Sequence, residues 1–156
     1  MTPISVNENL VAMTQETIET IEREEREAVA EKRKLWILEK GEYRAVLSMW
    51  EKRDPAQAGN LFNGHDVYRT DWTVEVAGGG TQWLNYVDAC PALVRYDDNR
   101  ISLPTLLARD LYRVTNLPAG QASMEAVLNA ATGVPVTLTV TRKKDGTKNY
   151  ITKVRV

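Results

Sequence analysis

At Gly41 the hydrophobic period of this chain changes, and that change restricts its fold more than any other feature. Before it, apolar residues recur at helical spacing; after it, apolar and polar residues alternate with a period of two. In "GEYRAVLSMWEKR" the alternation puts Tyr43, Ala45, Leu47 and Met49 on one face. Arg44, Ser48, Trp50 and Lys52 take the other. A second strand is predicted near "DVYRTDWTVEV", with Tyr68, Trp72, Val74 and Val76 opposed to Arg69, Asp71, Thr73 and Glu75. "DPAQAGN" between them has loop chemistry, "AGGGT" turns the chain, and "QWLNYVDA" supplies a third strand.

Helical spacing then returns. "SLPTLLARDLYRV" carries one stripe of Leu103, Leu106, Leu107, Leu111 and Val114, and "SMEAVLNAA" follows with Ser123 as cap and Gly133 past its end. The chain closes on a hairpin whose first arm places Val134, Val136, Leu138 and Val140 on one face. A two-residue Asp145-Gly146 loop would set Val136 opposite Arg155. A three-residue Lys144-Asp145-Gly146 loop sets Val140 opposite Tyr150 and Val136 opposite Val154, and burial favours this register. Its other face then carries Thr137, Thr139, Thr141, Asn149, Ile151, Lys153 and Arg155.

Three strands, helix, then two strands is the order of a five-stranded antiparallel OB-fold-like barrel, a mainly β fold with helices. An open antiparallel sheet with helices on one face is the alternative. Residues 41–156 form this domain and residues 1–40 a helical extension. In the extension Asn7 serves as N-cap, Glu8 opens the first turn and Gly41 lies just past the end. Lys32, Arg33, Lys34 and Lys40 crowd the C-terminal end, where the helix dipole favours cations. Glu19–Arg23 and Glu22–Arg26 stand at i,i+4. A heptad line runs through Thr14, Ile21, Ala28 and Leu35, while its companions Thr17, Glu24 and Glu31 are polar. Both a solvated helix and a coiled-coil oligomerisation arm fit this pattern.

Charge is distributed unevenly. The chain as a whole carries a net −1, yet its last 21 residues carry +5. A local basic patch on a nearly neutral body is compatible with nucleic acid, because clustered Lys and Arg displace counterions. No apolar run approaches the ~20 residues of a membrane span. "MTPISVNENL" has neither the basic start nor the apolar core of a secretory signal. The lone Cys90 fits a reducing, cytoplasmic setting.

Parts for catalysis are missing. His65 is the single histidine and reads as a surface residue; Cys90 reads as a small packed apolar side chain. One Cys and one His cannot build a four-ligand zinc site. The triple glycine lacks the Lys-Ser/Thr of a phosphate loop, and Asp97-Asp98 lacks the spacing of a calcium loop. No enzyme and no cofactor are therefore expected. Binding chemistry remains. A single strand is held by cations along its backbone and aromatic faces under its bases. Trp50 stands between Arg44 and Lys52 where alternation calls for a polar residue, and the hairpin presents Arg142, Lys143, Lys144, Lys148, Lys153 and Arg155. Packing beneath the N-terminal helix equally accounts for Trp50, and protection of an exposed edge equally accounts for the lysines.

"LEKGEYRAVLSMWEKRD", "CPALVRYDDNRISLPTLLARDLY" and "TGVPVTLTVTRKKDGTKNYITKVRV" together resemble small phage-encoded OB-fold single-stranded-DNA-binding proteins. The resemblance spans about residues 41–156. It implies sequence-independent binding of single-stranded DNA, with RNA as the other candidate strand, in phage replication or recombination within the host cytoplasm. It also implies that Trp50, Lys52, Lys143, Lys144 and Lys148 face the DNA. The chain departs from that pattern in ending on a strand, without an acidic tail for recruiting partners. The alternative function is a structural or adaptor module, such as a phage particle component, that homo-oligomerises through the N-terminal helix.

Overall fold

The computed structural model describes residues 12–35 and 37–156; for residues 29–35 it is the backbone alone that is described. The chain divides into two compact units, Met1–Leu35 and Trp36–Val156.

In the first unit α1 spans Gln15–Leu35. Asn7 and Glu8 lie outside the described residues, as do the side chains of Lys32, Arg33, Lys34 and Leu35. The cap seen is Thr14, whose hydroxyl accepts from the Thr17 amide at 3.1 Å and whose carbonyl accepts from the Ile18 amide. The helix stops at Leu35, short of Gly41. The reason lies in the second unit, where Leu38 is buried and its backbone is held by the Asn149 side chain. Leu38 N–H donates to Asn149 Oδ1 at 2.8 Å, and Asn149 Nδ2 donates to the Leu38 carbonyl at 2.9 Å. An amide side chain here imitates a strand partner and ties the approach to Gly41 to β5.

The second unit is a five-stranded antiparallel sheet curled into an OB-fold-like half-barrel. Its strands are β1 (Gly41–Lys52), β2 (Tyr68–Glu75), β3 (Thr81–Ala89), β4 (Val136–Arg142) and β5 (Asn149–Arg155), in the order β3-β2-β1-β4-β5. The ladders do not join β3 to β5. Two helices lie between β3 and β4 in sequence. Helix α2 (Leu103–Thr115) is capped by Ser102 and ends at Asn116 in the left-handed conformation. Helix α3 (Met124–Ala131) is capped by Ser123. Helix α2 contacts both β3 and β5, so it covers the inner side of the seam that the ladders leave open.

The interior is apolar, with Leu47, Trp72, Val74, Leu111, Leu128 and Leu138 fully buried. Asp110 is buried within it, on the stripe side of α2. Its carboxylate accepts from the Val154 amide at 2.9 Å and from Arg109, which pins α2 to β5. No buried side-chain polar atom among the described residues lacks a hydrogen-bond partner.

Bulges overturn two alternation readings. The β1–β2 register shifts between Leu47 and Met49, so Ser48 and Met49 both sit on the outer face and Trp50 returns to the inner one. Met49 is accordingly exposed and Trp50 packs against the core. The β4–β5 register shifts between Thr139 and Val140, with Thr152 as the extra residue. Val140 therefore pairs with Ile151 and Leu138 with Val154, in place of Val140 with Tyr150 and Val136 with Val154. The bulge lets Asn149, Ile151 and Val154 all face inward, whereas strict alternation would have buried Tyr150 instead of Asn149 and Ile151. The loop has four residues, Lys144 to Thr147, closed by Lys143 N–H donating to the Lys148 carbonyl at 2.8 Å. Gly146 holds the left-handed position with φ +71°. Val134 precedes β4 and is exposed.

Candidate nucleic-acid interface

Paired residues in an antiparallel sheet point to the same face, so the register defines one continuous outer surface. Val46 pairs with Thr73 and Thr73 with Trp83, which puts these three in one outward row. Ser48 and Thr73 join their hydroxyls at 2.6 Å across that row. Arg44 pairs with Thr137 and Thr137 with Arg155, forming the neighbouring row. Lys153, opposite Thr139, belongs to the same face.

On β3 this surface becomes aromatic. Trp83 is 55% exposed and Tyr86 is 62% exposed. Tyr86 holds φ +60°, a left-handed conformation that costs a bulky residue about 1–2 kcal/mol. The conformation arises at a β2–β3 bulge, where the register slips between Thr70 and Trp72. It is stabilised by Asp71, buried opposite the bulge, whose Oδ1 accepts from the Tyr86 amide at 2.9 Å. The same carboxylate receives both Arg69 Nε at 3.1 Å and Arg69 Nη2 at 2.9 Å. Arg69 in turn lies 3.6 Å from the centre of the Tyr86 ring. Hydrogen bonding to Asp71 raises the Arg69 pKa further above its ordinary value, keeping the stacked cation charged. The result is a preformed plate of ring and guanidinium beside an exposed indole.

The residues singled out from sequence are divided by the fold. Arg44, Lys153 and Arg155 share the outer face with Trp83. Trp50 does not: its Nε1 donates to Asn129 Oδ1 on α3 at 3.2 Å, and its ring meets Tyr68 edge-on at 6.0 Å. The Ser48 bulge turns it inward, so the indole that breaks the alternation is a packing residue under α3. Lys52 pairs with Asp66 at 3.6 Å and lies against the same Tyr68 ring. Nor do Trp50 and the hairpin tip meet across a groove. Arg142 bonds Glu39 beside the start of β1, while Trp50 lies near that strand's far end, about 30 Å further along the strand at ~3.3 Å per residue.

Much of the hairpin charge is also engaged. Arg142 pairs with Glu39, Lys143 with Asp145 and Arg155 with Glu42. Lys148 lies 5.4 Å from the Tyr150 ring, and Lys144 stands exposed in the loop. Sequence reasoning misses Trp83, Tyr86, Arg69 and Asp71 as site residues. The signal for Trp83 is the same one that singles out Trp50, an indole at a polar position of an alternating strand. Tyr86 has none, because its bulge depends on a partner strand.

Burial pushes the Asp88 carboxyl up from its ordinary pKa, while Arg53, 2.7 Å away, and Lys148 across the seam pull it back. Burial also raises the Cys90 thiol, so this fully buried side chain is a poor nucleophile. His65 is exposed, and among the described residues no group of three or more His, Cys, Asp or Glu side chains gathers to hold a metal. No described helix is long and apolar enough to cross a membrane. The chain matches no protein-family model, no curated protein and no solved structure.

Proposed function

We propose that this protein binds single-stranded DNA without sequence-specific readout of most bases, through the outer face of β1–β3 and the cations beside it. The observation that carries the reading is the plate formed by Tyr86 and Arg69, held by buried Asp71 next to exposed Trp83. Bases stack on exposed rings whatever their identity, and Arg44, Lys153 and Arg155 on the same face offer charge to phosphates. A left-handed tyrosine stabilised by a buried carboxylate is local strain of the kind retained at binding sites. Relative to the sequence reading, the aromatic contribution moves from Trp50 to Trp83 and Tyr86. The resemblance to phage OB-fold DNA-binding proteins agrees with this reading and suggests replication or recombination as its setting.

The test is a fluorescence titration with oligo-dT. Trp72 is buried and Trp50 is half-buried under α3, so in a Trp36→Phe background quenching should come mainly from Trp83. Trp83→Ala should remove most of the quenching and weaken binding by about 1–3 kcal/mol. Absence of binding by the wild-type chain at low salt rejects the proposal.

The adaptor reading keeps one observation of its own: α1 is a separate unit whose described side chains are almost all exposed, with Ile21 41% accessible. Light scattering before and after removal of residues 1–35 tests it, since an unchanged monomer leaves that reading without support.

A further inference from the structure

Between the unpaired strands β3 and β5 lies a cleft of about 270 Å³. Its floor is apolar, built from Val87 on β3, Ile151 on β5 and Leu107 on α2, all buried. The rest of the lining includes Tyr86, Tyr96 and Tyr150, with Asp88 from β3 and Lys148 from the loop just before β5. The volume is below the usual range of drug-sized sites, roughly 300–1,000 Å³, and suits a single planar ring with its substituents. Tyr86 belongs both to this lining and to the outer plate, so the surface on which bases would stack leads directly into the cleft.

We infer that this cleft receives one base of the bound strand, and that it favours a base carrying an exocyclic amino group over thymine. The inference rests on the single-stranded-DNA reading and adds selectivity to it. Three tyrosines supply ring faces and edges for a planar guest. Asp88 uses Oδ2 on Arg53, and its Oδ1 has no bond of its own among the described residues. A carboxylate oxygen accepts from the amino group of cytosine or adenine, but opposes the O4 carbonyl that thymine carries in its place. Lys148 is exposed, stands beside Tyr150 and donates, which complements the ring nitrogen and O2 acceptors of cytosine. An acceptor on β3 and a donor just before β5 thus face a guest whose Watson–Crick edge has both kinds of group. Asn149, though in the lining, spends its amide on Leu38 and Thr141 and takes no part.

The experiment compares oligo-dC with oligo-dT of equal length at mildly alkaline pH and fixed salt. These strands have the same charge and ring size, so the outer plate and the cations should treat them alike. The wild-type chain should bind oligo-dC roughly five-fold or more tightly than oligo-dT. Asp88→Asn, whose amide can turn either a donor or an acceptor to the base, should bring the ratio close to one. Leu61→Trp, which puts an indole at the exposed rim, should do the same by filling the cleft, with oligo-dT binding retained. Equal binding of both strands by the wild-type chain overturns the cleft inference and leaves the general reading standing. A preference that survives in both variants also overturns it, since the selectivity then arises elsewhere. Failure to bind either strand takes down both readings.

Discussion

Tyr86 carries an aromatic ring on a backbone that favours glycine, and its cost can be separated from its use. Tyr86→Gly and Tyr86→Ala both delete the ring, but only the alanine retains the left-handed penalty. The glycine variant should therefore be more stable than the alanine variant by about 1 kcal/mol in urea unfolding, with oligo-dT affinity lowered equally in both. Equal stabilities would mean that the bulge relaxes when the ring is lost. Tyr68 makes a different prediction. It is buried, its hydroxyl donates to Glu125 Oε1 at 2.9 Å, and burial followed by that bond raises its pKa well above the ordinary phenol value. A phenol that ionises less readily folded than unfolded contributes its full stability below an unfolded pKa of ~10 and loses it as pH rises through the folded value. Denaturant midpoints should thus fall above about pH 10, and Tyr68→Phe should flatten that part of the profile. The same bond holds the Glu125 carboxyl below its usual range.

At the scale of elements, the closing hairpin decides how much of its own charge is available. Glu39, Asp145 and Glu42 each take one of its cations. Such exposed pairs are worth little to stability, about 0–1 kcal/mol, and they open readily to phosphate. Replacing Lys143, Lys144 and Lys148 together with alanine should reduce the slope of log affinity against log salt by about two, near 0.7 per phosphate for a single strand. Titrations at several salt concentrations read this directly; an unaltered slope would place the strand away from the loop. Bulges do the other work of the elements. Ser48 turns Trp50 under α3 and leaves Met49 outside, and Thr152 lets both Ile151 and Val154 reach the core. Each is a single inserted residue, and each reverses the parity of the strand residues beyond it.

At the scale of the whole molecule, the ladders run from β3 through β1 to β5 and stop, leaving α2 to cover the inner side of the gap. The cleft exists because of that incomplete closure. The boundary between the two compact units falls after Leu35, and every residue of the plate and the cleft belongs to the second. Deleting residues 1–35 should therefore leave cooperative unfolding and oligo-dT affinity unchanged within about a factor of two, roughly 0.4 kcal/mol at room temperature. Circular dichroism melts and the fluorescence titration check the two halves of this expectation. A large loss of affinity would show that α1 takes part in binding.

The strand and helix order was legible because it rests on local periods and local signals. Alternation starting at Gly41, the Ser123 cap, and the left-handed Gly146 each depend on residues within a few positions of one another. The charge of the hairpin was legible for the same reason. Which face Trp50, Met49, Tyr150 and Ile151 occupy was not, because a bulge is set by the partner strand and by the side chains that must be buried against it. The Asp71–Arg69–Tyr86 plate needs β2 and β3 in register, and the Asp88–Lys148 cleft joins residues 60 positions apart along the chain. Local chemistry settled the elements and their order. Only long-range pairing decided which side chains reach solvent together, and so where a strand of nucleic acid would lie.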